Sequence, residues 1–197
     1  LRHSITKMSH LHFVSTDEYG DRVLQLGEEG WRITVSGAPS LDNLHSLQLL
    51  DTYSLESKYG LDLETPPLLV TFHPVTLEHE RTEWQLLELL AALKTCGMPV
   101  IFTQPNADTG GRTVDRLLRE FVPQHPWAWL VDNMGTQGYF SLMSHSAAMV
   151  GNSSSGIIEA PSFRLPVVNL GPRQDGRIRA ANVIDVGYER GEILAGI

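Results

Sequence analysis

Met149-Val150-Gly151-Asn152-Ser153-Ser154-Ser155-Gly156-Ile157-Ile158-Glu159-Ala160-Pro161 leads from an apolar strand through a small polar turn into a helix. A turn of this kind directs backbone N–H groups and the positive end of a helix at one point, where an anion can sit. The serine hydroxyls add hydrogen bonds for phosphate oxygens, and Glu159, one turn on, can accept from the two hydroxyls of a ribose. The alternative is a plain N-cap with spare serines and a solvated glutamate. Local chemistry alone does not choose between the two.

Outward from that stretch, short β-rich runs alternate with longer amphipathic ones, the pattern of parallel strands joined by crossover helices, so the fold class is α/β. The expected strands are residues 11–15, 32–35, 68–72, 100–103, 128–131, 147–150, 167–170 and 182–186, most of them nearly all apolar, as in strands covered on both faces. The clearest helix is 78–95, where Trp84, Leu87, Leu90 and Ala91 recur at helical spacing and Gly97 with Pro99 supplies the stop. Others are expected at 18–27, 44–59, 112–121, 137–144 and 156–162. The stretch 60–67, ending in Thr65-Pro66-Pro67, is stiff and excludes helix. It marks an expected boundary between residues 1–67 and a nearly complete β-α repeat at 68–197. The first part is short for a doubly wound domain, and Leu1 to Lys7 reads as mid-helix with no cap ahead. The expectation is an amino-terminal truncation, with only the tail of a first domain present.

In open parallel sheets ligands bind beyond the carboxyl ends of the strands, which makes the other strand ends informative. His73, in Thr71-Phe72-His73-Pro74, can donate to a diphosphate or shuttle a proton. After the next strand, Asn106 and Arg112 lie in reach of a phosphate or sugar, although an ordinary N-cap region holds the same residue types. Then Asp132-Asn133-Met134-Gly135 leads to Tyr139 and Phe140, either a face for a base or core aromatics. Finally, Arg173, Arg177 and Arg179 crowd into seven residues of Gly171-Pro172-Arg173-Gln174-Asp175-Gly176-Arg177-Ile178-Arg179. A planar guanidinium grips two phosphate oxygens at once.

Gly151-Asn152-Ser153-Ser154-Ser155 also comes near the G-x-S-x-G nucleophile elbow of serine hydrolases, but the last glycine is missing and no histidine follows His145 to complete the chain order. His10 and His12 share a strand face without a third ligand, and Glu78-His79-Glu80-Arg81 is no H-E-x-x-H, so no metal site is expected. The single cysteine, Cys96, reads as a small core filler, and a lone thiol suits a reducing cytoplasm. The 197 residues carry 15 Lys and Arg against 23 Asp and Glu, a net charge of −8, which repels nucleic acid and anionic lipid. No apolar run approaches the roughly 20 residues that span a bilayer.

Read together, Arg2-His3-Ser4-Ile5-Thr6-Lys7, Ser36-Gly37-Ala38-Pro39, Thr71-Phe72-His73-Pro74, Pro105-Asn106-Ala107-Asp108, the serine turn through Glu159 and Gly171-Pro172-Arg173-Gln174-Asp175-Gly176-Arg177 closely resemble the UDP-N-acetylglucosamine 2-epimerase family, in particular its hydrolysing branch. The resemblance implies a glycosyltransferase-B-like arrangement of two Rossmann-type domains with parallel sheets, the first only partly present, and a UDP-sugar as partner. It implies a homo-oligomer and no cofactor. Carried over, His73 and Arg173 contact the diphosphate, Asn106 and Arg112 line the nucleotide cleft, and Met134 with Tyr139 faces uracil. Ser153 and Ser154 with neighbouring amides, including those of Ser155 and Gly156, bind phosphate, and Glu159 binds ribose.

The family reaction is anti-elimination of UDP, then addition of water with inversion at C2, giving UDP and N-acetylmannosamine for sialic-acid-type sugar synthesis. The carboxylates that act as acid and base lie, in the family, just upstream of the Arg2–Lys7 stretch. The expectation is therefore a chain that binds UDP without turnover on its own. A non-hydrolysing 2-epimerase is the other alternative. Arg164 departs from the family, which often has glycine there.

Overall fold

Short runs of apolar residues with no polar alternation suit strands buried on both faces. A computed structural model of the chain, describing residues 1–105 and 110–197, has a strand in each of the eight places. These are β1 (His12–Val14), β2 (Ile33–Val35), β3 (Leu68–Thr71), β4 (Val100–Thr103), β5 (Ala128–Val131), β6 (Ala148–Gly151), β7 (Val167–Leu170) and β8 (Val183–Val186). All their pairings are parallel. Among the described residues no helix is long and apolar enough to cross a membrane.

The chain forms two units, Leu1–Leu47 and Gln48–Ile197. In the smaller, α1 (Arg2–Met8) precedes β1, and α2 (Asp17–Gln25) carries the chain across to β2, which pairs with His12 opposite Ile33. The Thr16 hydroxyl caps α2 by accepting from the Tyr19 N–H at 3.3 Å. His12 is buried 3.3 Å from the Glu28 carboxylate, to which Lys7 donates at 2.6 Å. The Lys7 hydrogen bond holds Glu28 below the usual carboxylate range. His10 lies edge-on to Trp31. Both histidines thus have structural partners, and no group of three or more His, Cys, Asp or Glu among the described residues is arranged to hold a metal.

The larger unit has one six-stranded sheet in the order β5-β4-β3-β6-β7-β8. The chain winds outward one way from β3 and the other way from β6, the doubly wound order of a Rossmann domain, whose winding reverses between its two central strands. Those strands pair with Leu68 opposite Ala148 and Thr71 opposite Gly151, so both end level with each other. β3 and β7 are wholly buried, whereas the edge strands β5 and β8 are partly exposed. The remaining helices are α3 (Asp42–Ser46), closing the smaller unit, then α4 (Thr52–Tyr59), α5 (Thr82–Cys96), α6 (Gly111–Phe121), α7 (Gly135–His145), α8 (Ser155–Ile158) and α9 (Arg190–Gly196). Leu86, Leu89 and Leu93 of α5 are buried in a core with Val70, Phe102 and Val168. Cys96 is half-buried and packs against this core.

The two compact units part between residues 47 and 48, because α4 packs into the larger one. Leu55 is fully buried, the Tyr59 hydroxyl donates to the Met134 carbonyl at 2.9 Å, and the Leu50 N–H donates to Ser141 Oγ at 2.8 Å. The helix expected over 44–59 is two helices, since the Asp51 side chain accepts from the Ser54 N–H at 2.8 Å and starts α4 afresh. The helix expected from residue 78 begins as a 3₁₀ turn over Thr76–Arg81 with Glu78 out of helical geometry, its carboxylate accepting from Gln85 Nε2 at 2.6 Å. The helix expected over 156–162 is one α turn, α8, followed by the 3₁₀ turn Ala160–Phe163. Pro161 has no N–H to continue the α ladder.

Arg164 ends that 3₁₀ turn at φ 52° and is, among the described residues, the non-glycine residue with positive φ. Leu165 N–H donates to the Ala160 carbonyl and Arg164 N–H to that of Pro161, both at 3.1 Å. This is the Schellman pattern, whose left-handed position favours glycine.

Candidate functional site

The two central strands end at the point where such sheets bind ligands, and the chemistry begins with how closely they approach. Gly151 has φ 138°, and a Cβ there would stand 2.0 Å from the Thr71 carbonyl oxygen, so a side chain is excluded. The close approach lets the Asn152 N–H donate to that same oxygen at 3.1 Å.

Asn152 is fully buried and ties three loops together. Its side-chain oxygen accepts from the His73 N–H at 2.7 Å, and its side-chain amide donates to the His73 carbonyl at 2.8 Å. Its own carbonyl accepts from Arg173 at 3.0 Å and from Gln174 at 2.7 Å. The loops after β3, β6 and β7, carrying His73, the serines and Arg173, therefore meet on one residue. His73 is itself buried, beside Pro74. The α6 end joins this group, because the site of a Cβ on Gly110 lies 3.0 Å from Pro74. Arg112 is exposed on the first turn of α6, and Asn106 lies outside the described residues.

In the serine turn, Ser154 precedes α8, and the Ser155 N–H reaches Ser153 Oγ at 3.3 Å. With α8 a single turn long, its dipole is small, and the polar groups the turn presents are chiefly the hydroxyls and amides of Ser153, Ser154 and Ser155, the Gly156 N–H donating to the Ser153 carbonyl at 3.3 Å. Tyr139, on α7, directs its hydroxyl into this turn, with hydrogen bonds to Ser155, Thr71 and Ser153. Burial raises its phenol above the ordinary range, against those bonds, and the nearby Glu159 charge adds to the rise. Thr71 Oγ1 is in turn 2.6 Å from Thr103 Oγ1. Glu159 is buried at the end of α8, and Met134 is buried at the start of α7.

The three arginines after β7 part company. Arg179 pairs with Asp185 at 2.8 Å and Asp175 at 3.3 Å, and Arg177 is exposed, which leaves Arg173 as the one turned into the strand-end cluster. A cleft of about 380 Å³ lies between Pro74–Glu78 and Pro172–Arg173, within the size range of small-molecule sites. Sequence reasoning missed Asn152, Gln174 and the inward Tyr139 hydroxyl. A polar residue directly after an apolar strand, between Gly151 and three serines, was the available signal for Asn152.

Known proteins bear this architecture out. The family model for UDP-N-acetylglucosamine 2-epimerase matches residues 1–197. A GDP/UDP-N,N'-diacetylbacillosamine 2-epimerase (hydrolyzing) of Campylobacter jejuni is 42% identical over 187 residues, covering 94% of this chain and 49% of that protein. The polysialic acid biosynthesis protein P7 of Escherichia coli is 40% identical, covering 100% of this chain and 50% of its own length. The chain thus spans about half the length of these relatives. Among solved structures, a putative UDP-N-acetylglucosamine 2-epimerase from Listeria monocytogenes matches with a TM-score of 0.75 at 16% identity, over 96% of this chain and 50% of that one. The Methanocaldococcus jannaschii UDP-GlcNAc 2-epimerase in complex with UDP-GlcNAc and UDP matches with a TM-score of 0.71 at 15% identity, over 96% and 54%. At such identity the likeness speaks for the fold, which is glycosyltransferase-B-like. With a family model matched from the first residue to the last and relatives at 40 to 42% identity, the chain belongs to the UDP-N-acetylglucosamine 2-epimerase family.

Proposed function

We propose that the protein is a hydrolysing 2-epimerase of UDP-N-acetylglucosamine or a closely related acetamido sugar nucleotide, and that the larger unit is its UDP-binding part. The observation that carries the reading is the joining of His73, the serine turn and Arg173 through Asn152 at the switch of the sheet. Arg173 and His73 hold the diphosphate, the serine turn with its amides holds the phosphate next to the nucleoside, Glu159 accepts from the ribose hydroxyls, and Met134 lies against uracil. The family resemblance adds Asn106 and Arg112 to the nucleotide-binding residues. Tyr139 supports the serines through its hydroxyl.

In this reading the C1–O bond to UDP breaks as the C2 proton leaves, and water then adds at C1 as C2 is reprotonated on the opposite face. Charge develops on the departing diphosphate, and fixed donors aimed at it stabilise that transition state. The hydrolysing assignment draws on the activities named for the Campylobacter jejuni relative and for one from Legionella pneumophila, 36% identical over 197 residues.

Incubation of the protein with UDP-N-acetylglucosamine and with its 2,4-diacetamido counterpart tests the assignment. Free UDP with a free 2-epimerised sugar is expected, whereas a 2-epimerised sugar still linked to UDP would identify the non-hydrolysing reaction.

A further inference from the structure

We propose that Asn152 is a positioning residue that makes the site selective for a nucleoside diphosphate over a monophosphate. The inference rests on the functional reading above and deepens it. Asn152 is fully buried, so it does not touch a ligand. What it touches is the machinery on either side. Its carboxamide closes a two-way clamp on the His73 peptide, accepting at 2.7 Å and donating at 2.8 Å. Its carbonyl receives Arg173 at 3.0 Å and Gln174 at 2.7 Å. The Thr71 carbonyl fixes its N–H at 3.1 Å.

Only a short carboxamide satisfies this arrangement. Aspartate accepts from the His73 N–H but cannot donate to its carbonyl, and it brings a buried negative charge beside the diphosphate site. Glutamine adds a methylene where there is no room. Alanine leaves a buried N–H and a buried carbonyl of His73 unpaired. The Asn152 side chain holds the His73 peptide, and its main-chain carbonyl, which a substitution keeps, receives Arg173. His73 is assigned to the diphosphate, while Glu159 and Met134 are held by α8 and α7. Loss of the Asn152 side chain therefore frees the His73 loop and loosens the grip on the outer phosphate more than the grip on the nucleoside. A purely structural role would weaken both alike.

The test is calorimetric titration of UDP and of UMP into the wild-type chain and the Asn152→Ala, Asn152→Asp and Gln174→Leu variants, with thermal midpoints recorded alongside. The preference for UDP over UMP is expected to fall about tenfold or more in both Asn152 variants and several-fold in Gln174→Leu, with UMP affinity changed by less than about twofold. An equal loss on both ligands, or an unchanged preference in a folded variant, overturns the inference. If the Asn152 variants do not fold, Gln174→Leu decides, and an unchanged preference there overturns it as well. A wild-type chain that binds no UDP overturns the functional reading together with this inference, whereas wild-type binding with an undiminished preference in the variants overturns the inference alone.

Discussion

Thr71 and Gly151 face each other across β3 and β6 with room for no side chain between them, a Cβ on Gly151 falling 2.0 Å from the Thr71 carbonyl oxygen. The contact lies in two central strands, so neither backbone can yield without disturbing the sheet. Gly151→Ala is expected to cost about 3 kcal/mol of stability, through overpacking and a φ that alanine resists. A chemical denaturation series measures it, and a loss below about 0.5 kcal/mol would show that the strands can separate freely.

Glu159 is buried at the end of α8, where a ribose above the serine turn would meet it. Glu159→Ala is expected to weaken UDP binding by about 1 to 3 kcal/mol, the worth of hydrogen bonds to a charged group. The loss should be absent with 2′,3′-dideoxy-UDP, which has no hydroxyls for the carboxylate to hold. Equal losses on both nucleotides would assign Glu159 a role in the fold.

Tyr188 lies against Gly171, and among the described residues its buried hydroxyl has no hydrogen-bond partner. Burial, and then the Glu78 charge, push its phenol up to about 12 from 10.0. The unfolded chain thus gives up this proton at a lower pH than the folded one, and fewer protons on the unfolded state mean falling stability as pH rises. The contribution is fully present below pH 10 and disappears as pH climbs to about 12. Tyr188→Phe is expected to flatten the decline of the thermal midpoint across that window while costing little at pH 7. A wild-type and a variant profile of equal slope would contradict this.

Arg164 holds a left-handed conformation at φ 52°. Since a side chain there costs about 1 to 2 kcal/mol and glycine escapes most of it, Arg164→Gly is expected to raise stability by about 1 kcal/mol. A lowered thermal midpoint would mean that the arginine side chain contributes packing that outweighs the strain.

Much of this was readable in the residues, for identifiable reasons. The strands of the larger sheet are short, mainly apolar runs set off by nearby Gly or Pro, so their existence was legible; β4, β5 and β7 begin and end where expected, while β3 and β6 differ by one residue at their ends. Helix ends were less so, because they depend on side-chain bonds that periodicity does not register. Asp51 restarts α4, Glu78 holds a 3₁₀ turn ahead of α5, and Pro161 cuts α8 to one turn. The helix α9 rests on the single buried side chain of Ile193 and left too faint a pattern to find.

The site divides along similar lines. His73, Ser153, Glu159 and Arg173 carry groups whose chemistry names itself. Asn152 and Gln174 act through bonds to backbone atoms distant in sequence, a property of the fold that composition cannot reveal. Arg179 looked equivalent to Arg173 until its two carboxylate partners, one of them on β8, were visible.

Calorimetric titration of UDP into the 197-residue chain asks directly whether the strand ends of the larger unit form a binding site for UDP. Saturable binding of one UDP per chain is expected, weakened when Arg173 is replaced by alanine. No heat of binding at about 1 mM UDP, where even a site worth only about 4 kcal/mol would be half filled, would contradict it.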